Sequence, residues 1–154
     1  MQLSRFPRRR YTDGYTPLEP LPRLSEFLRG PTIWAKRDDL TGLAGGGNKT
    51  RKLEFLVADA LAQGADTLLT TGAVQSNHCR LTAAAAAKEW LACRLLIEER
   101  IADSYDPEAS GNNFLFGLLG VEKLEVVPGG SDLAGGLARM ADELEAQGRT
   151  AYVI

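Results

Sequence analysis

From Thr50 onward the apolar positions recur with the period of a helix. Leu53, Leu56, Val57, Ala60 and Leu61 fall at i, i+3, i+4, i+7 and i+8 and form one stripe. Gly64 is a plausible stop. Thr67–Thr70 is a short, β-branched apolar run that reads as a buried strand, with Gly72–Gln75 as a turn. A helix is then expected from near Ser76, through the alanines Ala83–Ala87, to about Trp90. Alanine has the highest helix propensity, and its small side chain permits close packing on a sheet. Arg94–Ile97 reads as the next strand, followed by a polar loop over residues 103–113 with Pro107, Gly111 and two asparagines. A helix near Phe114–Leu119 leads to a strand at Leu124–Val127. Ser131 is placed to cap a helix with Leu133, Leu137, Met140, Ala141 and Leu144 on one face. Gly148 ends it, and Ala151–Ile154 begins another strand. Residues 1–32 are rich in Arg and Pro and read as irregular apart from a short helix at Leu24–Leu28; a short strand follows at Ile33–Lys36.

Strands that alternate with helices imply βαβ units, hence an α/β fold with a parallel sheet flanked by helices. Ligand sites in such sheets lie beyond the C-terminal ends of the strands. The chain closes on the apolar run Tyr152-Val153-Ile154, so a longer protein that continues past this strand is expected.

Composition excludes several classes of function. The chain has 154 residues and a net charge of −2, from 18 basic and 20 acidic side chains. That balance offers no footprint for nucleic acid or an anionic membrane surface. No stretch approaches the roughly 20 apolar residues that span a bilayer. The basic cluster Arg8-Arg9-Arg10 is not followed by an apolar segment, so a secretory leader is not expected. Cys79 and Cys93 have no metal or redox spacing and read as free, buried thiols of a cytoplasmic protein.

The candidate chemistry starts in the loop Gly42–Asn48 and the lysine that follows it. Gly45-Gly46-Gly47 makes a tight bend or lets backbone approach a ligand. Gly42 and Gly47 have the separation of a nucleotide-binding P-loop, but Asn48 intervenes before Lys49, and the preceding segment is charged. The alternative is a Schiff-base lysine, held in a partly desolvated site that lowers its affinity for a proton. A solvated loop lysine is the plain reading of Lys49 taken alone. A second segment, Thr70–His78, runs from a strand into the start of a helix, where free N–H groups and the helix dipole favour an anion. Ser76 and Asn77 also read as ordinary N-caps there, and His78, the one histidine of the chain, as a structural residue.

Together these segments resemble the D-cysteine desulfhydrase and 1-aminocyclopropane-1-carboxylate deaminase family, to which L-cysteate sulfo-lyases also belong. The resemblance lies in Lys36-Arg37-Asp38-Asp39, in Gly46-Gly47-Asn48-Lys49-Thr50-Arg51-Lys52-Leu53-Glu54-Phe55 and in Gly72-Ala73-Val74-Gln75-Ser76-Asn77-His78. Arg5-Phe6-Pro7 and Thr16-Pro17-Leu18-Glu19 add to it. It implies the fold of the tryptophan-synthase β subunit, with two α/β domains around pyridoxal phosphate. Residues 1–48 would belong to the large domain and 49–154 would form the small one, with the rest of the large domain outside this chain. The resemblance makes Lys49 the cofactor lysine. It places Lys52 at the cofactor phosphate and Asn77 at the ring's phenolic oxygen. Ser76 would bind the substrate carboxylate or act as nucleophile, with His78 beside the substrate and on the desulfhydrase side of the family. The implied reaction is β-elimination from D-cysteine to pyruvate, sulfide and ammonia. A cyclopropane deaminase, an L-cysteate lyase and an inactive α/β fragment are the alternatives. The implied partners are a small amino-acid substrate, a second copy in a homodimer, and a complementing C-terminal segment that carries the main phosphate-binding loop. The chain departs from the family at Asp103–Asn113, and at Glu89-Trp90, where Leu-Gly is usual.

Overall fold

The computed structural model describes residues 2–154. Its centre is a four-stranded parallel sheet of β3 (Thr67–Ala73), β4 (Ala92–Glu99), β5 (Lys123–Pro128) and β6 (Ala151–Val153), in the order β5-β4-β3-β6. A separate antiparallel ribbon pairs β1 (Leu18–Pro20) with β2 (Trp34–Lys36) around α1 (Pro22–Leu28). The remaining helices are α2 (Lys49–Ala62), α3 (Asn77–Lys88), α4 (Asn112–Leu118) and α5 (Leu133–Glu145). The α/β expectation therefore holds.

Alternation along the strands sorts the core into two layers, because successive strand residues point to opposite faces. Leu68, Leu95 and Ile97 pack with Leu53 and Val57 of α2, Leu81 and the buried alanines of α3, and Phe116 of α4. Leu69 and Leu96 face the other way, onto Leu137, Met140 and Leu144 of α5. Both faces of the central strands are covered, which explains why β4 is buried from Cys93 through Ile97. The chain moves outward from β3 through β4 to β5, then α5 carries it back to place β6 on the opposite side of β3. β3 thus borders the point where the strand order reverses, the usual place for a ligand in an open parallel sheet.

Three local expectations need correction. The segment Gly72–Gln75 is not all turn: β3 continues through Ala73, since Gly72 and Ala73 pair with Ile97 and Glu98. The helix cap near 131 is Asp132, whose carboxylate accepts from Gly135 N–H at 2.9 Å, while the Ser131 hydroxyl donates back to the Pro128 carbonyl. Asn112 and Asn113 are not in an open loop; they start α4 and are buried. Cys79 and Cys93 are free and buried as expected, and burial pushes their thiols up to about 11 and about 12.

The unusual Glu89-Trp90 pair has a local consequence at each residue. Glu89 accepts hydrogen bonds from Arg9 Nε and the Tyr11 hydroxyl, both at 3.0 Å, and so ties the N-terminal segment to the end of α3. Trp90 follows the helix with φ +60° and is 97% exposed. A side chain in that left-handed conformation costs about 1 kcal/mol and here recovers nothing through burial. A Trp90→Gly chain is expected to unfold about 0.5–1 kcal/mol later in urea than the parent. An equal or lower midpoint would contradict this.

Candidate active site

The glycine loop earns its three glycines from contact with its surroundings. Gly46 sits at φ +70°, ψ −175°, a region almost closed to other residues. A Cβ there would lie 2.3 Å from the Asp39 carbonyl oxygen and 2.8 Å from that of Asp38. A Cβ on Gly47 would approach Leu81 of α3 to 3.1 Å. Gly47 N–H donates to the Asp38 carbonyl at 2.7 Å and to the Thr41 hydroxyl at 3.0 Å, and Thr41 lies 3.2 Å from the hydroxyl of Thr50. The charged Asp38-Asp39 segment is thus the wall against which the loop folds. Arg51 holds that wall from α2 through a 2.6 Å contact to Asp38, which keeps this carboxyl below its usual range.

Lys49 is the first residue of α2, and Lys52 stands one turn on, so both ammonium groups share a helix face. Lys52 Nζ lies 3.4 Å from His78 Nε2 on α3. Burial and then the charge of Lys49 hold the Lys52 ammonium below its usual value. Burial, then Lys52, then Lys49, bring His78 down to about 4. The ring therefore stays neutral at physiological pH. Its Nε2 lies 2.9 Å from the Thr70 hydroxyl, which itself donates to the Ile154 carbonyl at 3.0 Å. The Lys52 ammonium faces the same Nε2, so the ring tautomer sets which of the two neighbours that nitrogen serves, and Nδ1 is buried without a partner. The fold favours neutral His78, so that stability is complete above about pH 6.5 and is lost as the pH falls towards 4. An NMR titration is expected to show His78 still neutral at about pH 5, and ordinary titration near 6.5 would refute the packing described here.

Ser76 caps α3 by accepting from Cys79 N–H at 3.2 Å. Gly72 makes room for it, since a Cβ there would meet Ser76 Oγ at 2.4 Å and Cys79 Sγ at 2.7 Å. The preceding Gln75 adopts φ +62°, and its carboxamide is held at both ends by Asn112 N–H at 2.7 Å and the Ser110 carbonyl at 2.9 Å. Asn77, exposed at the first turn, accepts from the Asn112 carboxamide at 2.9 Å. The cap leaves the first N–H groups of α3 open, and nearby stand the ammonium groups of Lys49 and Lys52, neither of which forms an ion pair among the described residues.

The structure thus brings Lys49, Lys52 and His78 into one cluster, and sets Ser76 and Asn77 at the helix start beside it. Thr70, Gly72 and Gln75, read in sequence as parts of the same segment but given no role, lie around them, together with Arg80 and Asn112, which sequence reasoning did not select. The asparagine pair at 112–113 was the one visible signal among these. The arrangement suits an anion: two lysine amines one turn apart, helix N–H groups, and short polar side chains.

Comparison with known proteins agrees. Residues 10–154 match the family model described as "Pyridoxal-phosphate dependent enzyme". A D-cysteine desulfhydrase of Salmonella typhimurium is 50% identical over 153 residues, covering 99% of this chain and 46% of the relative. The crystal structure of an ACC deaminase homologue superposes with a TM-score of 0.83 at 38% identity, over 99% of this chain and 45% of that one. An O-ureido-L-serine synthase structure matches with a TM-score of 0.61 at 26% identity, over 91% and 40% of the two chains. The chain spans about half the length of the curated relatives it matches. Its sequence, its α/β sheet and the cluster beyond β3 lead to one conclusion: the chain belongs to the pyridoxal-phosphate dependent enzymes.

Proposed function

We propose that this chain carries the amine side of a pyridoxal-phosphate lyase site that acts on D-cysteine, releasing sulfide, pyruvate and ammonia. The observation that carries this reading is Lys52 Nζ standing 3.4 Å from His78 Nε2 in the first turn of α3, with Lys49 one turn before Lys52 at the start of α2. The residues present fit the cofactor. Lys49 would supply the amine that bonds to it, Lys52 would reach its phosphate, and Asn77 would donate to its ring oxygen. When bound, pyridoxal phosphate supplies an aldehyde for amines and a ring that draws electrons from the substrate's α-carbon.

The protein's share of the chemistry is proton transfer and positioning. Lys49 Nζ, when free, would take the α-proton as general base. Ser76 binds the substrate carboxylate through its hydroxyl, whose oxygen also accepts from Cys79 N–H. Neutral His78, 2.9 Å from the Thr70 hydroxyl, walls the substrate without adding a third positive charge. In this reading residues 1–48 belong to the large domain and 49–154 form the small one. The separate β1–β2 ribbon supports that division. A complementing segment equivalent to the remainder of the relatives would close the site, and two such units would pair. No described helix is long and apolar enough to cross a membrane, and two free buried thiols suit the cytoplasm.

The test is turnover by the chain with pyridoxal phosphate, alone and with the second half of a desulfhydrase relative. Pyruvate and sulfide from D-cysteine in equal amounts support the proposal. Turnover confined to the cyclopropane amino acid or L-cysteate would replace the substrate. No product from any of them, with cofactor attached at Lys49, would favour the reading as a non-catalytic fragment.

A further inference from the structure

The site residue Asn77 has a carboxamide, and such a group presents either a donor or an acceptor depending on which way it is turned. What turns it is the neighbouring Asn112. The Asn112 Nδ2 group donates to the Gln75 carbonyl at 2.6 Å and to Asn77 Oδ1 at 2.9 Å, which uses both of its protons. Its Oδ1 accepts from Arg80 Nη1 at 3.3 Å. The same guanidinium donates through Nη2 to the Gly46 carbonyl at 2.7 Å, three residues before Lys49. Turning Asn112 over would set its NH2 against a guanidinium and its oxygen against two acceptors. The cation therefore fixes the orientation of Asn112. Asn77 must then offer its oxygen to Asn112 and keep its NH2 for the other side.

We infer that Arg80 and Asn112 are positioning residues: Arg80 orients the Asn112 carboxamide, Asn112 turns Asn77 so that Nδ2 is presented as a donor, and the same guanidinium ties the glycine loop before Lys49 to α3. The role of the presented donor rests on the proposed cofactor site; the orientation itself does not.

Two features of the structure go with this assignment. Arg80 leaves its Nε–H buried without a partner while both Nη groups are used, so the fork is placed for Gly46 and Asn112 rather than for its own satisfaction. Asn112 is buried at the first position of α4 and also clamps the strained Gln75 through its backbone N–H. One side chain from each of α3 and α4 therefore controls the loops on both sides of the proposed cofactor. Lysine cannot replace Arg80 here, because a single ammonium lacks the fork that reaches the Gly46 carbonyl in the glycine loop and the Asn112 carboxamide on α4.

The experiment follows the side-chain amide protons of Asn77 and Asn112 by NMR solvent exchange in the cofactor-free chain. In the parent protein the Asn112 protons are expected to exchange about tenfold more slowly than those of Asn77. In Asn112→Asp the new carboxylate can only accept, so Asn77 turns to donate to it and its own amide protons become the slow ones. The pairing with Arg80 should keep that variant folded. In Arg80→Lys the protection of Asn112 should fall towards that of Asn77, which keeps the test open if the first variant is unstable. Slow Asn77 protons in the parent, or unchanged protection in the variants, would overturn the orientation. A second readout is the borohydride-fixed pyridoxal phosphate adduct at Lys49. A several-fold lower yield in Asn112→Asp than in the parent supports the link to the cofactor, and an equal yield overturns that link. No adduct in the parent removes the cofactor reading, while the exchange rates still decide the orientation.

Discussion

Replacement of Gly46 by alanine is expected to cost about 3 kcal/mol or more and to detach the loop that leads into Lys49. Two effects add. The backbone at φ +70°, ψ −175° is strained for any residue with a Cβ, and the new methyl group would stand 2.3 Å from the Asp39 carbonyl oxygen. That oxygen belongs to the backbone, so no rotamer change relieves the clash. Gly64→Ala is the control: its φ of +72° is also positive, but nothing lies within 4 Å of the added carbon. That variant should lose about 1 kcal/mol. Chemical denaturation of both chains measures the difference. Equal losses would mean that the packing of Asp38-Asp39 over Gly46 does not hold the loop.

Glu54→Ala is expected to cost about 3 kcal/mol and to release residues 8–12 from the body of the fold. Glu54 lies on α2 with 0% exposure. Its carboxylate accepts from Tyr11 N–H at 2.9 Å, Thr12 N–H at 2.8 Å and Arg8 Nε at 2.6 Å. Burial pushes the carboxyl up, but the two N–H groups and Arg8 outweigh it and leave the group below its ordinary value. A carboxyl lowered by the fold stabilises it above the ordinary carboxylate range, and that stability disappears as the pH falls through the lowered value. The advantage of the parent over Glu54→Gln should therefore be full at neutral pH and vanish in strong acid. Trypsin offers a second view, since Arg8, Arg9 and Arg10 should be cut faster once Glu54 is gone. An advantage that persisted at low pH would assign the anchor to packing instead of charge.

The helices and strands were legible where one periodicity dominated. The stripe of α2 and the buried runs of β3 and β4 need only spacing to be read. The errors fall where a distant partner decides. β3 extends through Gly72 and Ala73 because β4 pairs with them, and no property of Gly72 itself announces a strand. Asp132 rather than Ser131 caps α5, a choice between adjacent capping residues that turns on one N–H, that of Gly135. The strand β1 (Leu18–Pro20) contains a proline and was not anticipated; it exists because β2 offers it a partner. The same limit applies to the site. The candidates Lys49, Lys52, Ser76, Asn77 and His78 sit in two dense local motifs, which is why reading alone proposes them. Arg80 and Asn112 have ordinary surroundings in the chain, and only the fold reveals that their side chains meet 32 positions apart. Glu54 stood in the Gly46–Phe55 motif without a role of its own; its partners lie in an N-terminal segment more than 40 residues away.

The claim on which the functional reading stands is that Lys49 is the amine that binds pyridoxal phosphate. Incubation with the cofactor, reduction with borohydride and peptide mass spectrometry, beside a Lys49→Ala control, measure it directly. One stable adduct on Lys49, absent from the control, is the predicted result. Labelling that is spread over surface lysines and unchanged in Lys49→Ala would contradict it.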